Sequence, residues 1–93
     1  MNIIYLLYWL VAALPNGYRA EAFNNLIKVT HDGSSKAAYI APDSTDTGML
    51  NMAILDETDG AKVTTLAQGI RLRFWTPHDP TGEHIAADIA RYI

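Results

Sequence analysis

The strongest feature in the hydrophobic pattern is a run with no polar position: residues 3–14 read Ile-Ile-Tyr-Leu-Leu-Tyr-Trp-Leu-Val-Ala-Ala-Leu. With no polar face there is no period, so the pattern alone does not separate helix from strand. Ile, Tyr, Trp and Val favour a strand, whereas four leucines and two alanines favour a helix. Twelve residues exceed an ordinary strand, and Pro15-Asn16-Gly17 makes a sharp stop, so a helix is expected. The alternative, a strand over residues 3–12, would open a ferredoxin-like β-α-β (strand-helix) arrangement. An element apolar on all sides must be covered on all sides, within one chain or between chains. Any part left open on the single chain is a patch of the kind that marks self-association. Homo-oligomerisation is therefore expected, with Tyr5, Tyr8 and Trp9 at the interface.

The remaining elements show clearer periods. Ala22, Phe23, Leu26, Ile27 and Thr30 fall at helical spacing, with Glu21, Asn24, Asn25 and Lys28 opposite. This predicts a helix from Tyr18 to about Thr30, capped by Asn16 and ended by Gly33. Lys36 to Ala41 reads as a short strand stopped by Pro42, and Asp43 to Gly48 as a polar loop. Met49 to Leu55 is strand-like, with Leu50, Met52 and Ile54 on one face. Asp59-Gly60 is a hairpin signal leading into a strand from Lys62 to Ala67. Gln68-Gly69 marks a bulge or second turn. Ile70 to Trp75 alternates most cleanly, with Ile70, Leu72 and Phe74 inward and Arg71, Arg73 and Trp75 outward. Thr81 can cap a last helix whose buried stripe is Ile85, Ala86, Ile89, Ala90 and Ile93. The expected fold class is α+β: one domain over residues 1–93, an antiparallel sheet of three to four strands, an N-terminal helical segment and a C-terminal helix packed on one face.

Composition narrows the classes. With 93 residues and 49% hydrophobic content the chain has room for one core and is too apolar to be disordered. The absence of cysteine excludes a disulfide framework, a thiolate metal site and a cysteine nucleophile. The net charge of −3 is unevenly placed: residues 1–42 carry +1, residues 43–59 carry −5, and residues 60–93 carry +1. A nucleic-acid binder needs a basic stripe that displaces counterions, so nucleic acid is not the expected partner. Twelve apolar residues are too few to span a bilayer, which takes about 20 as a helix. Residues 1–22 do share the layout of a secretory signal, with Ala20-Glu21-Ala22 as a small-x-small site. No Lys or Arg precedes the apolar run, however, and a cytoplasmic protein is expected, with secretion the alternative.

Three patterns have possible chemistry. Asp46-Thr47-Gly48 resembles the Asp-Thr-Gly signature of aspartic proteases, whose retroviral members build one site from two short chains. That resemblance would imply a homodimer whose two copies of Asp46 share a proton. It covers three residues, follows a polar Pro42-Asp43-Ser44-Thr45 stretch where the family has an apolar strand, and finds only a loose echo in Gln68-Gly69-Ile70-Arg71. Histidine beside acid occurs as His31-Asp32, His78-Asp79 and Glu83-His84. His84 and Asp88 sit four apart on the last helix and could share a metal with His78 and Asp79. That spacing lacks the second helical histidine of the His-Glu-x-x-His enzymes, and such a pair on an exposed helix face is more often a surface ion pair, so no metal is expected. The third pattern is the outward face of Arg71, Arg73 and Trp75, residue types that concentrate binding energy at protein interfaces.

No phosphate loop, nucleophile elbow or calcium loop is present, so no cofactor is expected. The reading favoured by the sequence is a small non-catalytic interaction or assembly protein. It would self-associate through the apolar N-terminal segment and present Arg71, Arg73 and Trp75, or the acidic middle, to a protein partner. Small phage and mobile-element proteins, inhibitors and virion components among them, have this profile, which is analogy at the level of fold. The competing reading is a small enzyme or ligand-binding domain with a site near Trp75, His78, Asp79 and His84.

Overall fold

A computed structural model of the chain describes residues 3–46, 48–59, 62–73 and 83–93. The apolar run is a helix, α1 (Ile3–Ala13), and the strand alternative for residues 3–12 is not realised. Five strands follow: β1 (Tyr18–Phe23), β2 (Leu26–His31), β3 (Lys36–Pro42), β4 (Met49–Asp59) and β5 (Lys62–Arg73). The chain closes with α2 (Glu83–Tyr92). All neighbouring strands pair antiparallel in the order β1-β2-β3-β4-β5, so the sheet is a simple meander with β1 and β5 as its edges.

The sheet has five strands, not three to four, because the segment expected as a helix over residues 18–30 is the β1–β2 hairpin, which adds two, while the runs expected as separate strands before and after Gln68-Gly69 are one strand, β5. Phe23 pairs with Leu26 across a two-residue turn in which Asn24 takes a positive φ of 51°. Asparagine tolerates that left-handed geometry, and Asn24-Asn25 between two half-apolar runs is a hairpin signal. The same residues fit a period of two: Tyr18, Ala20, Ala22 before the turn, and Ile27, Val29, His31 after it. Asn16 accordingly caps nothing. Pro15-Asn16-Gly17 is a turn in which the Gly17 carbonyl accepts from the Asp32 amide at 2.9 Å. Gly17, at φ 91°, lies against the His31 ring, so a side chain there would meet both strain and crowding.

One face of the sheet is the core face. Ile27, Val29, Ala38, Ile40, Leu50, Met52, Ile54 and Leu72 form a single buried cluster with Leu6 and Leu10 of α1 and Ile85, Ala86 and Ile89 of α2. The expected inward positions of β4 and the stripe of α2 are realised, with Ile70 and Ile93 packed at the margin. At Gln68-Gly69, Met52 pairs with Ile70 while Ile54 pairs with Ala67, so two residues of β5 oppose Ala53 alone. Gly69 adopts φ 71°, the geometry a bulge of this kind requires. Asp59 and Lys62 are paired, as expected of the hairpin signal, although residues 60 and 61 lie outside the described residues. So do Phe74, Trp75, His78, Asp79 and Thr81.

Candidate interaction surfaces

Two surfaces collect the residues singled out from the sequence. The first is the outer side of α1. A helix buries one stripe, and here Leu6 and Leu10, four apart, take it and are fully covered. Ile4, Tyr5, Tyr8 and Val11 face the other way and are 57–68% exposed. The helix is therefore not enclosed on all sides by its own chain. Trp9 lies between the two stripes, packed against the core margin, with its ring edge-on to Tyr5 at 6.1 Å and to Tyr8 at 5.5 Å. Its indole N–H is buried without an acceptor among the described residues. Of the expected interface residues, Tyr5 and Tyr8 are on the open face and Trp9 braces both rings from the side. Ile4 and Val11 were not singled out, since an all-apolar run gives no sign of which positions the core will take.

Ile4, Leu7, Tyr8, Val11 and Ala12 line a shallow apolar groove of about 410 Å³ on this face. At its end, Ala12 also borders a second groove of about 340 Å³ between α1 and α2, lined by Ala13, Pro15, Glu83, Ala86 and Ala90. Small residues thus continue the apolar face toward the junction of the helices. No helix among the described residues is long and apolar enough to cross a membrane. Ala20-Glu21-Ala22 lies inside β1, paired with Val29, Lys28 and Ile27.

The second surface is the end of the sheet where β5 meets the Asp43–Gly48 loop. Asp43 organises it. Its Oδ1 accepts from the Thr45 amide at 2.8 Å, the Thr45 hydroxyl at 2.7 Å and the Asp46 amide at 3.2 Å. Its Oδ2 accepts from Asn51 at 3.2 Å and Arg71 at 3.3 Å. The Thr45 hydroxyl, then the Thr45 amide and Asn51, hold the Asp43 carboxyl well below the usual carboxylate range. Arg71 and Arg73 also approach Asp46 at 3.9 and 3.7 Å. The two charged features expected to face a partner, the arginine face and the acidic middle, therefore meet and largely answer each other.

Asp56 and Glu57 are similarly engaged. Asp56 repeats the local motif, accepting from the amide and hydroxyl of Thr58, which lower its pKa. Glu57 accepts from the Tyr39 hydroxyl at 2.6 Å and pairs with Lys28 at 3.0 Å on the sheet face away from the helices. The Tyr39 hydroxyl, followed by Lys28, draws the Glu57 pKa down, and Glu57 in turn raises that of Lys28. Burial, and then Glu57, raise the Tyr39 phenol.

The catalytic and metal patterns do not assemble among the described residues. Asp46 is an arginine partner in a polar loop, and Thr47 of the Asp-Thr-Gly triplet lies outside the description. Asp88 pairs with Arg91 rather than turning to His84, whose Nε2 contacts the Arg73 carbonyl. No three His, Asp or Glu among the described residues come close enough to hold a metal ion. His31 stacks on Tyr18 at 4.1 Å, and its Nδ1 lies 3.3 Å from the Ile93 carbonyl, tying the β1–β2 hairpin to the end of α2. Trp75, His78 and Asp79, three of the four residues of the competing ligand-site reading, lie outside the described residues. Comparison of the chain with known protein families, curated proteins and solved structures returns no match.

Proposed function

We propose that the chain is a non-catalytic assembly module that pairs with a second copy of itself through the outer face of α1. The observation that carries this reading is the row of Ile4, Tyr5, Tyr8 and Val11, left uncovered on a helix without a single charged residue. All four are more than half exposed on one side of the helix, so they can seed the centre of a standard interface of about 800 Å² per partner. A charge-free face meets its own copy without repulsion, which suits the self-complementary contact of a two-fold dimer. Tyrosine fits this position as well, since its ring buries apolar area while its hydroxyl stays wet at the rim. The packing of α1 into the core favours retention of residues 1–22 and a cytoplasmic protein over a secreted one. Arg71 and Arg73 keep side chains 54% and 51% exposed after pairing. They form a second proposed surface, for a protein partner rather than nucleic acid, because Asp43 and Asp46 already offset their charge; Trp75, expected from the sequence to join them, lies outside the described residues.

The lack of cysteine makes a direct test simple. Single-cysteine variants Tyr8→Cys, Val11→Cys and Arg19→Cys are treated with a short bis-maleimide. The reading predicts covalent dimers from positions 8 and 11 and almost none from position 19 on β1. Equal, slow cross-linking at all three positions would show that α1 does not face its copy.

A further inference from the structure

We infer that β5 is a second self-pairing edge, one that joins α1-linked dimers into larger assemblies. The inference rests on the α1 reading for its strength and on β5 for its own evidence. A linear meander has two edges, and each presents a row of backbone N–H and C=O groups with no partner in the sheet. The β1 edge is short, six residues, and carries Arg19 and Glu21. The β5 edge spans twelve residues, and from Val63 to Ile70 it has neither a charge nor a proline.

Part of that edge is guarded. The bulge at Gln68-Gly69 bends the strand, and Leu66 has no opposite number on β4, because Leu55 pairs with Thr65 and Ile54 with Ala67. Beyond Ile70 come Arg71 and Arg73. Between the charged Lys62 and Leu66, the segment Val63-Thr64-Thr65 has neither charge nor proline. The irregularity opposite it, between Asp56 and Asp59, places the extra residue on β4 and not on β5. Residues 62–66 are all exposed, Val63 and Leu66 by about half. Thr64 and Thr65 lie opposite Asp56 and Leu55, which β3 backs through Lys36 and Ala37, so the middle of the segment is braced by the sheet and only Lys62 and Val63 extend past it. As the last strand of the meander, β5 offers its outer side to a pairing strand. Its β-branched Val63, Thr64 and Thr65 are already held extended, so a pairing strand meets a template that needs no ordering.

The occupant that fits is the same segment of another copy. Antiparallel pairing about Thr64 sets Thr64 against itself, Val63 against Thr65 and Lys62 against Leu66, so no like charges meet. Threonine pairs and β-branched pairs are favourable cross-strand neighbours. An acidic or basic peptide would find no complementary charge beyond Lys62. Five residues of pairing are weak alone but gain when two α1-linked dimers meet face to face, because the second β5 junction then forms within one assembly. Because the α1 and β5 contacts are different self-complementary surfaces, their combination carries assembly beyond the dimer.

The test is sedimentation velocity of the full chain over a concentration series, alongside Val63→Lys plus Thr65→Lys and, separately, Tyr8→Glu. Both lysines replace exposed residues and set lysine opposite lysine across the proposed junction. The wild type is expected to pass beyond the dimer, and the double-lysine chain to stop at the dimer. A wild type that itself stops at the dimer, or a double-lysine chain that sediments like the wild type, overturns the β5 junction and leaves the α1 contact standing. A monomeric wild type overturns the α1 contact instead. Hydrogen exchange at high concentration then decides β5: slowed amides over residues 63–66 that speed up in the double-lysine chain support it, and unslowed amides refute it.

Discussion

At the scale of single residues, the carboxylates of the acidic segment are structural. Asp43 and Asp56 each begin an Asp-x-Thr triplet and each accept from the amide and hydroxyl of the threonine two residues on. Glu57, the middle residue of the second triplet, turns instead to Tyr39 and Lys28. Such closed local loops lower the carboxyl pKa because every donor favours the charged form. The consequence for stability has a definite sign. A carboxyl with a folded pKa below its unfolded value makes the unfolded chain the stronger proton binder, so stability rises with pH across that range. Asp43, Asp56 and Glu57 all shift downward. Their contribution is full above about pH 5 and falls away as the pH drops below the ordinary carboxylate value near 4. Urea unfolding at a series of pH values is expected to show this loss, and Asp43→Asn plus Glu57→Gln to flatten it. A double variant with an unchanged acid limb would assign the loss to other groups. The −5 of residues 43–59 was legible in the sequence, but its destination was not. Which base answers Asp46 depends on β5 passing beside the loop, a contact across about 25 residues that no local pattern encodes.

At the scale of elements, α1 is one helix with two unlike faces made of the same kind of residue. Leu10 is fully buried in the core cluster, so Leu10→Ala is expected to cost about 2–5 kcal/mol in thermal or denaturant unfolding. Tyr8 is 68% exposed, so Tyr8→Ala measured on the monomer is expected within roughly 0.5 kcal/mol of wild type. Equal losses at both positions would mean that the helix is enclosed on both sides within one chain. Helix formation was readable from the length of the run and its Pro-Asn-Gly stop. The division of its faces was not, because a uniform apolar run contains no contrast. The β1–β2 hairpin shows the opposite difficulty. Residues 18–30 satisfy both a helical and an alternating pattern, and Asn24-Asn25 decides between them only when its turn geometry outweighs the helical spacing. Strands β3 and β4 and helix α2 were legible because their periods are unambiguous and their neighbours are close in sequence.

At the scale of the whole molecule, a meander with helices on one face leaves uncovered, among the described residues, the second sheet face, the outer side of α1 and the two sheet edges, of which β5 is the longer. The sheet face is polar and internally satisfied around Lys28, Tyr39 and Glu57, and the arginine end is paired with Asp43 and Asp46. The outer side of α1 is apolar and exposed, and this contrast is why we propose it as the interface. A chain of 93 residues has little core to spare, and on the proposed reading contact with a second copy covers what α1 leaves exposed on the first. The most direct measurement is the sedimenting mass of the wild type and of Tyr8→Glu over a wide concentration range. The wild type is expected to associate, and the variant, with a charge buried against its copy, to do so at least ~30-fold more weakly. A wild type that remains a monomer at every concentration, or a variant that associates as well as the wild type, contradicts the account.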